Sequence, residues 1–244
     1  MELQPQPHGA RLNQLLAALP GPDFDAVAQD LEPVALSLGD VIYEPGARLP
    51  YAVFPTTSIV SLHYVTATGA SSESAAVGRD GVVGLAIFMG GDTTASSARV
   101  LVAGDAYRLP AGHLQRAFQG VGSLRTLLLR YAQSLITQIA QVAACTRHHP
   151  IDQQFCRWLL CTLDRAPTGE LLMTQNLVSR TLGVRRESVT EAAVRLQQAG
   201  VIRYRRGRIS VLDRAGLERR ACECYGALQR EQAWLMSASP DSWR

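Results

Sequence analysis

Lysine is absent from this chain: all 24 basic side chains among its 244 residues are arginine. We read that absence as a bias of genomic composition rather than a functional choice. No run of roughly 18 apolar residues occurs, so no membrane-spanning helix is expected. The candidate helix near 124–145 is interrupted by Arg125, Arg130, Gln133, Gln138 and Gln141. The opening MELQPQPHGARLNQ lacks a basic segment followed by an apolar one, which argues against a secretory leader and for a cytoplasmic location. A Ser-His-Asp set, paired catalytic carboxylates, a phosphate loop and an HExxH motif are all missing, so an enzyme is not expected. The five cysteines (Cys145, Cys156, Cys161, Cys222 and Cys224) contain no CxxC pair, which speaks against a zinc ribbon or a thioredoxin-like motif. Cys156 and Cys161 lie in the apolar stretch QFCRWLLCTL, where inert buried thiols are the default. Cys222-x-Cys224 supplies two thiols, too few to make a metal site, and histidines such as His148-His149 at a helix end are commonly surface groups. No metal and no cofactor are therefore assigned. With 47% hydrophobic and 18% charged residues, the chain reads as a soluble globular protein of two domains.

What is present is concentrated in MTQNLVSRTLGVRRESVTEAAVRLQQAGVIRYRRGRISV, residues 173–211. Thr174 is placed to cap a helix whose apolar face carries Leu177, Val178 and Leu182. Gly183 marks a sharp turn that calls for positive φ. A second helix begins near Arg185, with Val189, Ala192, Ala193 and Leu196 inward, and Gly200 ends it. Val201–Tyr204 and Arg208–Val211 then alternate as two short strands about Arg206-Gly207. Helix, turn, helix and basic hairpin in this order predict a winged helix-turn-helix, the second helix entering the major groove of duplex DNA. Recognition helices contact bases through their N-terminal residues. Arg185, Arg186, Glu187 and Ser188 stand there, with Thr190 and Arg195 further along the same helix. An arginine donates bidentately to guanine O6/N7, and a glutamate accepts from cytosine N4. Thr174, Arg205, Arg206 and Arg208 complete the predicted DNA-binding set, the hairpin arginines suiting phosphates.

Charge agrees with this placement. Residues 173–220 hold eleven Arg against four acids, a net of +7, while residues 1–172 carry −3 and residues 221–244 carry −1. The total of +3 therefore hides a basic module on a mildly acidic body. Such clustering is the electrostatic footprint of a nucleic-acid binder.

The first half reads as β-rich. Short runs at Val34–Leu38, Val41–Tyr43, Ala52–Phe54, Ile59–Val65, Ala98–Val102 and Asp105–Leu109 are punctuated by Gly39-Asp40, Pro45-Gly46, Thr68-Gly69 and Gly90-Gly91. Strands this short predict a compact sandwich or roll, flanked by helices near 11–19, 23–30 and 111–119. A longer helix is predicted from about Gly122 to Arg147, where Leu128, Ala132, Leu135, Ile139 and Val142 recur at heptad spacing. Leu127, Tyr131 and Ile136 offer a second apolar face. One face can cover the roll while the other meets a second copy of the chain, and the seam Leu128, Ala132, Leu135, Ile139, Val142 is the predicted dimer contact. A break at His148-His149-Pro150 precedes a helix over 151–165.

This layout of β-roll, long helix and winged helix-turn-helix resembles the CRP/FNR family of bacterial transcription regulators over approximately residues 15–220. Its most specific part is Gly183-Val184-Arg185-Arg186-Glu187-Ser188-Val189, similar to the turn and recognition start of that family. The resemblance implies an α+β fold: an antiparallel jelly-roll-like effector domain over 11–121, a dimerisation helix over 122–147, a DNA-binding domain over 148–220 and a helical extension over 221–244. It also implies that Arg186 and Glu187 contact bases, and that duplex DNA, a second copy and RNA polymerase are the partners. Where the family often carries another Arg, this chain has Glu191. The cyclic-AMP branch pairs Gly with Glu and uses an Arg-Ser-Ala-like run for the cyclic phosphate. Here Gly84 is followed by Leu85, and Ser96-Ser97 precede the nearest arginine, Arg99. An anionic phosphate needs a charged bidentate donor, so cyclic AMP is not expected in the usual mode and the effector is unassigned. Two alternatives stand: a thiol-based redox regulator using Cys145, Cys156 or Cys161, and a ligand-binding scaffold or enzyme that borrows the roll.

Overall fold

The computed structural model describes residues 7–120, 122–166 and 169–237. After a 3-10 turn at Pro7–Leu12 the elements run α1 Gln14–Ala17, α2 Gly21–Ala28, β1 Glu32–Leu36, β2 Val41–Tyr43, β3 Tyr51–Pro55, β4 Ile59–Val65 and β5 Ser71–Val77. They continue with α3 Leu85–Phe88, β6 Ser97–Val102, β7 Gly104–Pro110, α4 Ala111–Gln119, α5 Ser123–His148 and α6 Ile151–Arg165. The last third comprises β8 Glu170–Leu172, α7 Gln175–Leu182, α8 Arg186–Gln198, β9 Ile202–Arg205, β10 Arg208–Val211, α9 Arg214–Arg220 and α10 Cys224–Met236. Residues 238–244 of the predicted C-terminal extension lie outside the described residues, as do residues 1–6 of the opening segment.

Seven strands make the roll. One antiparallel sheet has the order β1-β7-β3, the other β2-β6-β4-β5. Phe54, Val60, Leu62, Val100 and Leu109 fill the space between them. The fold class is thus the expected α+β roll, long helix and winged helix-turn-helix. Two strands carry no clear signal in sequence. SSESAAV of β5 is polar along most of its length, and β8 is only three residues long.

The helix α5 seals the roll. Leu124, Leu127, Leu128, Tyr131, Ala132 and Leu135 are buried along its inner face. Tyr131 reaches furthest, its hydroxyl donating to the Val82 carbonyl at 2.9 Å. That approach requires a glycine at position 81, where a Cβ would fall 2.5 Å from the Tyr131 ring. The predicted dimer seam is corrected here at three of its five residues. Leu128, Ala132 and Leu135 are consumed by the roll of the same chain, Val142 is half-buried and Ile139 is 38% exposed. The outward apolar stripe is the neighbouring one, Leu129, Ile136, Ala140 and Ala143, again at heptad-like spacing but shifted by one position. Leu129 is 49% and Ile136 57% exposed.

A second core joins α6, α7, α8 and the β9–β10 hairpin through Phe155, Trp158, Val178, Val189, Leu196 and Ile209. Ile59, Ala76 and Leu101 of the roll belong to the same cluster, so the C-terminal module is docked on the roll. Polar contacts fix that docking. Arg165 of α6 grips Asp80 with two nitrogens at 2.8 Å, both side chains nearly buried. Glu73 on β5 accepts from Trp158 Nε1 at 3.1 Å and from the Ser61 hydroxyl. No helix among the described residues is long and apolar enough to cross a membrane.

Candidate nucleic-acid interface

Thr174 caps α7 as its sequence position suggests, the hydroxyl accepting from Leu177 N–H at 3.2 Å. Gly183 closes α7 at φ +67°, in the left-handed region where a side chain is strained. The same residue faces β5, where an added Cβ would sit 3.0 Å from Ser72, so the turn is constrained from two sides. The chain then re-enters helix with Arg185 as N-cap and Arg186 as first residue. Val189, Ala192, Ala193 and Leu196 face inward as the apolar spacing requires. The hairpin turn Arg206-Gly207 has positive φ at both residues, 51° and 73°, the backbone of a tight two-residue hairpin.

Helix α8 and the hairpin are locked together. Gln197 Oε1 accepts from Tyr204 N–H at 2.9 Å, and the Tyr204 hydroxyl donates to the Met173 carbonyl at 2.7 Å. Burial pushes the Tyr204 phenol up to about 12, further still from ionisation than an ordinary tyrosine. Between the two elements lies a concavity of about 390 Å³ lined by Thr174, Asn176, Arg186, Thr190, Gln197 and Arg206 among others. Sequence reading places Thr174, Arg186, Thr190 and Arg206 here. It misses Asn176, Gln197 and Tyr204, whose role depends on the hairpin folding back over α8, a contact no local pattern announces.

The predicted arginines divide by partner. Arg185, Arg186, Arg205 and Arg206 are exposed and make no ion pair with another described residue. Glu187 is exposed and Ser188 half-buried beside them at the start of α8. Thr190 is half-buried in the wall of that concavity, its hydroxyl 3.1 Å from Gln175 Oε1 and 3.0 Å from the Arg186 carbonyl. Arg195 is the clearest correction. Its guanidinium makes a bidentate pair with Asp152 at the start of α6, both bonds 2.7 Å, and Glu191 stands 3.8 Å away. In this structure the fork is turned to a carboxylate rather than left open, although the pair is solvent-exposed and such pairs hold only weakly. Arg208 is also committed, 3.2 Å from Glu170 on β8, because β10 lies beside that strand.

The predicted effector residues stand in different places on the roll. Gly84, at φ +108°, opens the short helix α3 that carries Leu85. The Ser96 hydroxyl lies 3.1 Å from that of Thr94. Ser97 instead lines a cavity of about 840 Å³ between the roll and the C-terminal module, together with His63, Arg99, Arg180 and Val184. Arg99 is held by Glu44 at 2.6 Å. Among the thiols, burial pushes Cys156 up to about 12 and raises Cys161 as well, so neither is an activated nucleophile. Cys145, Cys222 and Cys224 are gathered elsewhere, at the far end of α5.

Comparisons with known proteins agree with this geometry. Residues 153–220 match the Crp-like helix-turn-helix domain family. No curated protein matches the chain as a whole. Among solved structures, one assigned to the Crp/Fnr family of transcriptional regulators from Eubacterium rectale aligns with a TM-score of 0.67 at 16% identity, covering 90% of this chain and 99% of that one. FixK2 from Bradyrhizobium japonicum aligns at 0.65 and 16% identity, over 79% and 98% of the two chains. A CRP-family transcriptional regulator from Thermus thermophilus aligns at 0.66 and 17% identity, over 77% and 96%. The chain thus carries a Crp-like helix-turn-helix domain at residues 153–220 within the fold of the CRP/FNR transcription regulators.

Proposed function

We propose that this protein is a sequence-specific, DNA-binding transcription regulator that reads a palindromic site as a homodimer. The observation that carries the reading is the exposed Arg185-Arg186-Glu187 start of α8, free of ion pairs to described residues and flanked by the similarly uncommitted Arg205 and Arg206 of the hairpin. Arg186 and Glu187 read base edges in the major groove, and Arg205 and Arg206 grip phosphates on either side. Arg195, Arg208 and Thr190 support the helix and hairpin rather than touching DNA.

The second copy docks along Leu129, Ile136, Ala140 and Ala143 of α5. Small residues at the end of that stripe let two helices approach closely, and two recognition helices then fall on half-sites about one helical turn apart. Cyclic AMP held in the usual mode is not the effector in this reading, since Gly84 is followed by Leu85 rather than an acid and Arg99 is paired with Glu44. RNA polymerase is the partner this reading implies.

Fragmented DNA from the source genome, incubated with the full chain at one stated salt concentration and recovered with it, gives the first test. A reproducible subset of fragments supports the reading. Recovery of fragments in proportion to their length alone contradicts it.

A further inference from the structure

We propose that Cys145, His149, Cys222 and Cys224 form a structural zinc site that pins the end of the winged module to the long helix. The four donor atoms all lie within 4.8 Å of one another. Cys145 Sγ and Cys222 Sγ are 3.5 Å apart, and Cys224 Sγ is 3.5 Å from His149 Nδ1. Donors placed about 2.3 Å (sulfur) and about 2.0 Å (nitrogen) from a tetrahedral centre stand roughly 3.5–3.8 Å from each other. The cluster therefore has the dimensions of a single four-coordinate ion. All three cysteines are fully or almost fully buried.

Local structure explains how the set converges. His149 is the C-cap of α5, four residues after Cys145, and its N–H donates to the Cys145 carbonyl at 3.0 Å, which holds the two side by side. Cys222 and Cys224 flank the α9–α10 junction, with Glu223 between them as the N-cap of α10. In sequence these are a lone thiol, half of a histidine pair and a Cys-x-Cys. Only the packing of α10 along α5 brings them together.

The groups around the donors are polarised as a metal site needs. His149 turns Nδ1 to the cluster and Nε2 to the Glu223 carboxylate at 3.1 Å. A carboxylate on the far ring nitrogen fixes the tautomer that leaves the near one free to ligate. Gln141 Nε2 donates to Cys224 Sγ at 2.9 Å, and Arg157 Nε donates to Cys145 Sγ at 3.2 Å. Arg157 is buried and forms no ion pair with another described residue, although burying a cation without a counter-charge is costly. Glu73 acts on it from nearby, but burial pushes that carboxyl toward its neutral form. Three thiolates about one divalent ion leave a net charge of −1, which is the counter-charge that guanidinium faces. Neutral thiols, or a disulfide, would supply none.

Three sulfurs and one imidazole from the protein alone fill a tetrahedral shell, the arrangement of structural rather than catalytic zinc. Binding releases the thiol protons and closes a link among three places: the end of α5, the α5–α6 bend and the exit of the winged module. Zinc thereby sets the angle at which that module leaves the long helix. The site does not depend on the DNA-binding reading.

Elemental analysis of the full chain, purified under reducing conditions without chelator, is the test. About one zinc per chain is expected, released by a mercurial thiol reagent. Metal-stripped protein should take up Co²⁺ and acquire the visible absorption of a tetrahedral thiolate centre. Cys224→Ser should lose the metal, whereas Cys161→Ser, outside the cluster, should keep it. The Co²⁺ titration of the unsubstituted chain decides the matter should a variant fail to fold. Reduced protein that binds neither Zn²⁺ nor Co²⁺ overturns the proposal. So does a brown chain with labile sulfide, which would make the occupant an iron–sulfur cluster, or a Cys145–Cys222 disulfide in protein prepared without oxidant.

Discussion

Arg186 and Arg206 are both exposed arginines on one basic surface, yet they should fail differently. Arg186 stands at the first turn of α8, so Arg186→Ala should cost about 1–3 kcal/mol per half-site and relax base preference at one position, read by competition binding with single-base variants. Arg206→Ala should weaken binding to all sequences alike and lower the salt slope by about one counterion per half-site. Unchanged affinity and base preference in Arg186→Ala would mean that α8 is not the recognition helix. Glu73 shows a third kind of residue. Burial raises its carboxyl above the ordinary glutamate range, against the hydrogen bonds of Ser61 and Trp158 and the nearby Arg157 and Arg165. A carboxyl that holds its proton more tightly when folded stabilises the protein in acid and loses that contribution as pH rises from about 4.3 through the raised value. Glu73→Gln keeps a neutral partner for both hydrogen bonds. Its Tm should exceed that of the unsubstituted chain by an amount that grows with pH; a constant difference would show that Glu73 is not titrating between the two domains.

At the scale of elements, α5 shows where sequence reading succeeds and where it stops. Its length and heptad spacing were legible, because helical period and the His-His-Pro break are local properties. Which stripe faces inward was not. Leu128, Ala132 and Leu135 and the neighbouring Leu129, Ile136, Ala140 and Ala143 both recur at heptad-like spacing, the second set broken at Gln133, and only the shape of the roll decides between them. The same limit hid β5, whose polar run is a strand because β4 pairs with it. It also hid the commitment of Arg195, whose partner Asp152 lies 43 residues away. The helix-turn-helix itself was almost wholly readable, since cap, turn glycine, apolar face and hairpin turn are all local signals. The corrected stripe makes a definite prediction. In the proposed dimer, Ile136→Glu would place a charge twice in a two-fold contact and should weaken that dimer by about 2–4 kcal/mol, roughly 30- to 1,000-fold in Kd. Light scattering after gel filtration would show this as a shift to monomer at micromolar concentration. Leu128→Glu should unfold the roll instead, being buried in a single chain.

Over its described residues the molecule is a basic winged head docked on a mildly acidic roll by Arg165–Asp80 and Glu73–Trp158, with the long helix sealing the roll. The cavity beside Ser97 lies between the roll and the winged module, the cysteine cluster lies where α5 meets the α9–α10 junction, and the proposed function builds on that arrangement. Its central claim is that this head reads sequence as one of a pair. Selection of binding sites from random duplex DNA, with purified full chain at a single stated salt concentration, tests it most directly. The account predicts enrichment of an inverted repeat whose half-sites lie about 10 base pairs apart, centre to centre. Recovery of duplexes with no common motif, through binding that salt alone abolishes, would contradict it.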